Sequence, residues 1–201
     1  MNENYVFEYS DLLARILSIG FYKGYTNSYI ERSISYSTFF LNVEKDAYML
    51  APITTDKSLV KSIFPELKEN FTEMPIYDQC LWAAEAYMRI QGKTQLTFEC
   101  IFLYFPIKKM YEYFPIYHEM DFRRIIERFD ELYAKQSAFS IIVNKFGYSL
   151  EDISKKTGIS YDTLYSLKSR RRDIRKINIE TASKLSLFLH MRMETICEIK
   201  I

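Results

Sequence analysis

The stretch "LEDISKKTGISYDTLYSLKS", Leu150 to Ser169, decides how the C-terminal third of this chain folds. Ser149 precedes it and two acids follow in the first turn, which is a typical helix start. Gly158 supplies the left-handed backbone that a tight turn requires, so the first helix ends there. Ser160 is suited to cap a second helix, whose two leucines at an interval of three point inward. Two short helices joined by a glycine-containing turn form a helix-turn-helix motif.

The segment resembles the helix-turn-helix domains of phage repressors, the Cro-like and lambda-repressor-like group. After it, "INIETASKLSLFLHMRMETICE", residues 177 to 198, looks like the helices that follow in that family. The resemblance covers roughly residues 135 to 199. It implies an all-α, five-helix bundle over residues 135–201, whose second motif helix enters the major groove of double-stranded DNA. The residues that match the family's core and turn positions are Ile153, Ser154, Gly158, Ile159, Ser160, Leu164 and Leu167.

The resemblance also implies which side chains face DNA. Tyr161 and Tyr165 are one helical turn apart, and each offers a ring to a thymine methyl and a hydroxyl to a phosphate or base edge. Asp162 departs from the pattern, because phosphates repel an acid unless it accepts from cytosine N4 or caps its own helix. Both roles stay open at this point. The base-facing positions are Ser160, Tyr161, Asp162, Tyr165, Ser166 and Ser169.

A basic cluster follows the second helix. The last nine positions of "SYDTLYSLKSRRRDIRK", residues 160 to 176, hold six basic side chains and one acid. A charge run of this kind is usually a solvated loop, but its position after a recognition helix favours contact with phosphates, where released counterions supply affinity. The predicted phosphate contacts are Lys168, Arg170, Arg171, Arg172, Arg175 and Lys176.

The charges of the chain are divided unevenly. The net charge is only +1, but the residues from Tyr133 onward hold 13 Lys+Arg and 7 Asp+Glu, a net +6. The first 132 residues hold 14 and 19, a net −5. Opposite signs predict separate surfaces with separate partners. We therefore predict two domains, residues 1–134 and 135–201.

Few glycines and prolines interrupt the first domain, and its apolar residues recur at helical spacings, which predicts an all-α fold. The predicted helices are Ser10 to Ile19 with Ser10 as cap and Gly20 as stop, a second near Ile30, Ile34 and Leu41, Asp56 to Phe64 ended by Pro65, Pro75 to Ile90, and Asp121 to Tyr133. The motif "YFPI" occurs twice, with Pro106 and Pro115, and both prolines are predicted to mark helix starts. Its aromatics indicate core or a subunit interface.

No catalytic or metal-binding pattern is apparent. Three cysteines and two histidines lack disulfide or zinc spacing, and "GFYKG" lacks the ending of a phosphate loop. Cys80 lies on an apolar helical face, which indicates a buried, inert thiol, and the neighbours His118 and Glu119 indicate a surface pair. No run of about 18 apolar residues is present. We expect a cytoplasmic protein without enzyme activity, cofactor, metal or membrane association.

These observations predict a sequence-specific DNA-binding transcription regulator, most simply a repressor that binds as a homodimer, since two copies read two half-sites. The first domain, with 26 of the 33 aromatic residues before Tyr133, would dimerise or sense a partner. An alternative is an antitoxin-like or phage-inhibitor-like protein. In that case the first domain binds a protein partner and the helix-turn-helix regulates only its own operon.

Overall fold

A computed structural model of the chain describes residues 3–45, 56–66 and 76–200. Within these ranges it is built of α-helices and one 3₁₀ turn without any strand, which confirms the all-α prediction. The helices before residue 136 are α1 (Glu3–Tyr22), α2 (Asn27–Ser35), α3 (Thr38–Glu44), α4 (Asp56–Ile63), α5 (Tyr77–Thr94), α6 (Phe98–Tyr104), α7 (Ile107–Tyr117) and α8 (Arg123–Lys135). The remaining elements are α9 (Ala138–Phe146), α10 (Leu150–Thr157), α11 (Tyr161–Lys168), the 3₁₀ turn (Ile174–Lys176), α12 (Ile179–Leu189) and α13 (Met193–Ile196).

One hydrophobic cluster holds these helices together. It runs from Leu17 in α1 and Tyr87 in α5, through Phe105, to Phe139 in α9 and Leu167 in α11. Polar contacts also join distant helices: the Thr97 and Thr195 hydroxyls lie 2.9 Å apart. The division at residue 134 stays a prediction, and the helices on its two sides share one core.

Buried carboxylates accept hydrogen bonds at the starts of three helices. Glu44 accepts from the Phe98 N–H of α6 at 2.6 Å, and Glu31 accepts from the Ile107 N–H of α7 at 2.7 Å. Glu198 accepts from the Ala138 N–H of α9 at 2.6 Å. The first N–H groups of a helix have no partner within it, and the helix dipole favours a negative charge there. Each carboxylate thus supplies an acceptor to an N–H group at the start of a helix that is distant in the sequence.

The helix α1 is longer than predicted and overruns both of its expected ends. Ser10 is not a cap, since it lies within the helix and its Oγ donates to the Val6 carbonyl at 2.6 Å. Gly20 is not a stop. A Cβ at Gly20 would lie 2.6 Å from Ile30 Cδ1, so the glycine is needed for the close approach of α2. The sequence shows the glycine but not the helix that crosses it.

We expect Gly20→Ala to lower the free energy of unfolding by about 1 kcal/mol. Overpacking costs about 1 to 3 kcal/mol, which exceeds the gain of up to about 1 kcal/mol when alanine replaces glycine inside a helix. Urea denaturation measures the change. Ile30→Val removes the closest atom, Cδ1, so the double variant should lose less than the sum of the two single losses. Strictly additive losses would show that the contact with Ile30 does not cause the loss of stability in Gly20→Ala.

The two "YFPI" prolines differ in position. Pro106 is the residue just before α7, as predicted for a helix start. Pro115 lies inside α7, so the prediction of a second helix start is wrong. A proline gives no N–H to the carbonyl four residues earlier, but α7 ends at Tyr117 and Pro115 is exposed, so only the last turn is affected.

The other predicted helices of this region are mostly confirmed. The expected second helix is two helices, because α2 ends at Ser35 and Ser37 caps α3 two residues later. The helix α4 ends just before Pro65, as predicted. Pro75 lies outside the described residues, and α5 runs from Tyr77 past Ile90. The helix α8 begins and ends two residues later than predicted, and its apolar face includes the buried Ile125 and Phe129.

The local structure of the helix-turn-helix segment is as the sequence predicts. Ser149 Oγ accepts from the Asp152 N–H at 3.0 Å, and Ser160 Oγ accepts from the Thr163 N–H at 3.3 Å. Gly158 ends α10 with a φ of 70°. The side chains of Leu164 and Leu167 are fully buried. The opposite side of α11 is consequently directed outward.

Candidate nucleic-acid interface

The outward side of α11 carries two parallel tyrosine rings. Tyr161 and Tyr165 are 44% and 43% exposed, and their ring centroids lie 6.3 Å apart at an interplanar angle of 14°. The Arg171 guanidinium lies 5.4 Å from the Tyr165 ring centroid. We call Tyr161, Tyr165 and Arg171 the aromatic stack. It presents flat apolar surface, hydroxyl groups and a positive charge side by side.

Serines occupy both ends of α11. The Ser160 hydroxyl caps its first turn and donates to Thr163 Oγ1 at 2.8 Å, while Ser169 Oγ donates to the Tyr165 carbonyl at 2.8 Å. Asp162 is exposed in the first turn and is not the cap, so the capping role considered for it belongs to Ser160. A carboxylate in the first turn is still favoured by the helix dipole. Ser166 is half-buried, and its carbonyl accepts from the Arg172 N–H at 3.1 Å.

We call residues 168–176 the basic loop. Within the described ranges, four of its cations form no ion pair with a carboxylate. Arg171, Arg172 and Lys176 are exposed and Lys168 is half-buried. Positive charge without a carboxylate partner is therefore concentrated at the end of α11, beside the two tyrosines. The contact of these cations with DNA phosphates stays a prediction.

Arg170 points back into the protein. Its φ of 56° turns the chain after α11, and its guanidinium donates to the carbonyl oxygens of Ala134, at 3.3 Å, and of Gln136. The guanidinium also lies 3.5 Å from Glu198 Oε1 and 5.5 Å from the Tyr133 ring centroid. The phosphate contact stays a prediction, and the geometry gives Arg170 a second task, which is to attach the basic loop to the end of α8.

Arg175 is also paired within the chain. Its Nε and Nη2 atoms each lie 2.9 Å from a carboxylate oxygen of Asp173. These hydrogen bonds from Arg175 lower the pKa of Asp173 and keep it ionised. A bidentate pair of this kind orients the guanidinium while partly neutralising it.

Glu198 is the functional neighbour that sequence reasoning missed. It is buried, it accepts hydrogen bonds from the Tyr104 hydroxyl of α6 at 2.8 Å and from the Ala138 N–H, and it forms an ion pair with Arg170. With the four arginines of the loop it lines a cavity of about 350 Å³ between the loop and the core. Nothing local marks this acid, because Tyr104 is 94 residues away in the chain.

The sequence predicts a buried Cys80 thiol and a surface pair of His118 and Glu119, and the structure places both as predicted. Cys80 is buried with its Sγ 3.3 Å from the Tyr111 hydroxyl, and burial raises the pKa of the thiol to about 11. His118 and Glu119 form an exposed pair at 3.6 Å, as predicted. In the part of the chain that the structure describes, no three His, Cys, Asp or Glu residues are grouped as metal ligands.

No known protein family, curated protein or solved structure matches the chain. Of the helices in the described ranges, none has the length and apolar character needed to cross a bilayer. The functional assignment of the interface therefore depends on α10, α11 and the basic loop themselves.

Proposed function

We propose that the chain binds double-stranded DNA, with α11 in the major groove, and acts as a sequence-specific transcription regulator. One observation carries this proposal. The second helix of a capped, glycine-turned helix pair directs Tyr161 and Tyr165 outward, and unpaired cations follow it directly. A helix of this kind fits the major groove, and cations at its end suit the neighbouring phosphates.

The side chains divide into two kinds of contact. The two tyrosines of the aromatic stack and Ser166 would contact base edges, with the tyrosine rings against thymine methyl groups. Arg171, Arg172, Lys168 and Lys176 would contact phosphates and supply affinity that is independent of sequence. Arg170 would keep the basic loop in place from behind. Two copies of the chain would read two half-sites, which supplies the specificity that a single short helix lacks.

The first experiment is a selection from a pool of random duplexes with the full-length protein at two salt concentrations. Enrichment of a palindrome would support a dimeric sequence reader and give the operator. Salt-sensitive binding without enrichment would reduce the motif to an electrostatic anchor and favour the alternative of a protein partner for the first domain. Absence of binding at low salt would contradict DNA binding altogether.

Replacing Arg171 and Arg172 together by alanine should weaken binding to all duplexes at least about tenfold. It should also reduce the steepness with which the logarithm of affinity falls with the logarithm of salt concentration, by about 0.9 for each lost phosphate contact.

Tyr165→Ala should instead reduce discrimination between operator and random DNA, by about 1 to 3 kcal/mol. Filter binding or fluorescence anisotropy at several salt concentrations measures both effects.

A matched control is the pair Arg123 and Arg124 on α8. Both are exposed, and their replacement by alanine removes the same charge away from α11. This control should bind DNA nearly as the wild type does. If the control and the Arg171, Arg172 variant lose the same affinity, only the net charge matters and the proposed interface is wrong.

A further inference from the structure

A second cavity lies between α2 and α6 on one side and the ends of α9 and α12 on the other. Its volume is about 350 Å³. Small-molecule pockets have volumes of roughly 300 to 1,000 Å³, and most have apolar walls with a few polar groups. This cavity, which we call the interhelical cleft, lies away from the outer face of α11. Its lining includes none of the predicted DNA contacts.

The apolar wall of the interhelical cleft comes from both parts of the chain. Phe102 and Leu103 of α6 form one side, and Leu189 and Met191, at the end of α12, form another. The cleft therefore has the hydrophobic surface that an aliphatic or aromatic group requires.

A carboxylate with an unused oxygen stands in the same cleft. Glu31 is 9% exposed, and within the described residues only its Oε1 atom accepts a hydrogen bond, from the Ile107 N–H. Within the described residues the other oxygen, Oε2, accepts no hydrogen bond from the protein, and Glu31 lines the cleft. Burial raises the pKa of Glu31, although the Ile107 N–H and the charge of Lys145 oppose this shift. A further cation in the cleft would stabilise the ionised carboxylate.

Two cations of the cleft also lack a carboxylate partner. Arg32 and Lys145 line it, and neither forms an ion pair with another described residue. Each lies instead beside an aromatic ring: the Arg32 guanidinium is 5.9 Å from the Tyr36 ring centroid, and Lys145 Nζ is 5.9 Å from that of Phe146. Glu99, the other acid of the cleft, already accepts from Tyr36 and Thr195 at 2.7 Å. The available groups are thus one carboxylate oxygen and two cations.

We propose that the interhelical cleft binds a small zwitterion, an α-amino acid with an apolar side chain. Its ammonium would donate to Glu31, its carboxylate would lie between Arg32 and Lys145, and its side chain would pack on Phe102, Leu103 and Met191. A charge of each sign on the ligand matches the unpaired groups of the cleft, and the apolar wall selects the side chain. This proposal does not depend on DNA binding.

Isothermal titration of the full-length protein with L-leucine, L-methionine and L-phenylalanine tests it. We expect at least one of the three to bind. Its N-acetyl and carboxamide derivatives, which lack one charge each, should bind at least about tenfold more weakly, the loss typical of a hydrogen bond between charged groups. Failure of all three at about 10 mM, or a derivative that binds as tightly as its parent amino acid, would overturn the proposal.

Variants separate the cleft from adventitious binding. Glu31→Gln keeps an oxygen for the Ile107 N–H but removes the charge, and Arg32 and Lys145 are exposed enough to be replaced by alanine together. Both variants should lose at least about tenfold in affinity for the amino acid. Lys61→Ala, an exposed substitution on α4 outside the cleft, should change nothing. Unchanged binding by Glu31→Gln would overturn the assignment of the ammonium site.

Discussion

Arg192→Met is expected to lower the free energy of unfolding by about 3 kcal/mol or more near neutral pH. Arg192 Nη1 lies 2.8 Å from Glu44 Oε2, and the Glu44 side chain is completely buried. Removing one partner of a buried ion pair leaves an uncompensated charge, which costs about 3 to 5 kcal/mol. Methionine keeps much of the packing of the arginine stem, so the loss reports the charge. Urea denaturation followed by circular dichroism measures it.

The size of this loss should depend on pH. Burial raises the pKa of Glu44 above its ordinary 4.5, although Arg192 opposes the shift. A carboxyl whose pKa is raised on folding stabilises the protein below its unfolded pKa, and this contribution is lost as the pH rises through the folded value. Without Arg192 the folded pKa is higher still. The deficit of the variant relative to the wild type should therefore be large at about pH 8 and smaller at about pH 5.

Two further proteins control this experiment. Glu44→Gln combined with Arg192→Met removes both charges and should recover a large part of the loss, because glutamine still accepts from the Phe98 N–H. Lys184→Met breaks the exposed pair with Glu180, whose atoms lie 2.6 Å apart, and should cost less than about 1 kcal/mol. Equal losses for Arg192→Met and Lys184→Met would mean that burial does not determine how much an ion pair contributes to the free energy of unfolding.

Glu198→Ala should lower the free energy of unfolding by about 2 to 3 kcal/mol. The substitution leaves the buried Ala138 N–H without its acceptor, and it removes the negative charge next to Arg170. An unsatisfied buried donor costs about 1 to 3 kcal/mol. The Tyr104 hydroxyl loses less, because it also lies 2.8 Å from the Gln136 carbonyl. Thermal and urea denaturation measure the loss.

Glu194→Ala is the matched control for this variant. The residue stands four positions earlier, in α13, and its carboxylate makes no hydrogen bond or ion pair with another described residue. It should change stability by less than about 0.5 kcal/mol. Glu198→Gln retains an acceptor and should fall between the two alanine variants. If both alanine variants have the same stability, the contacts of Glu198 carry no net energy.

The helix-turn-helix segment was predictable because its determinants are local. Ser149, Gly158 and Ser160 each act on groups within a few residues, and their effects depend little on the rest of the fold. The inward leucines of α11 follow from helical spacing alone. The outward direction of Tyr161 and Tyr165 is the direct consequence.

Other features depend on partners that are distant in the sequence. Glycine is a typical residue at a helix end, but Gly20 lies inside α1, where it leaves room for Ile30 of α2. Arg170 belongs to an obvious basic cluster, yet its contacts lie 34 and 36 residues earlier, at Gln136 and Ala134. The two-domain division stays a prediction, and charge patterning carries no information about the core that helices on both sides of residue 134 share. Tertiary contacts of this kind override local rules.

The carboxylates at the helix starts also bear on how the chain folds. Glu44, Glu31 and Glu198 reach the N–H groups of α6, α7 and α9 from 54, 76 and 60 residues away. Long loops must close before these helices receive their acceptors, and the entropy of closure is lost before the contacts compensate for it. Short helices are marginal in isolation. The chain should therefore acquire these helices together, in a late and cooperative step, and not one after another along the sequence.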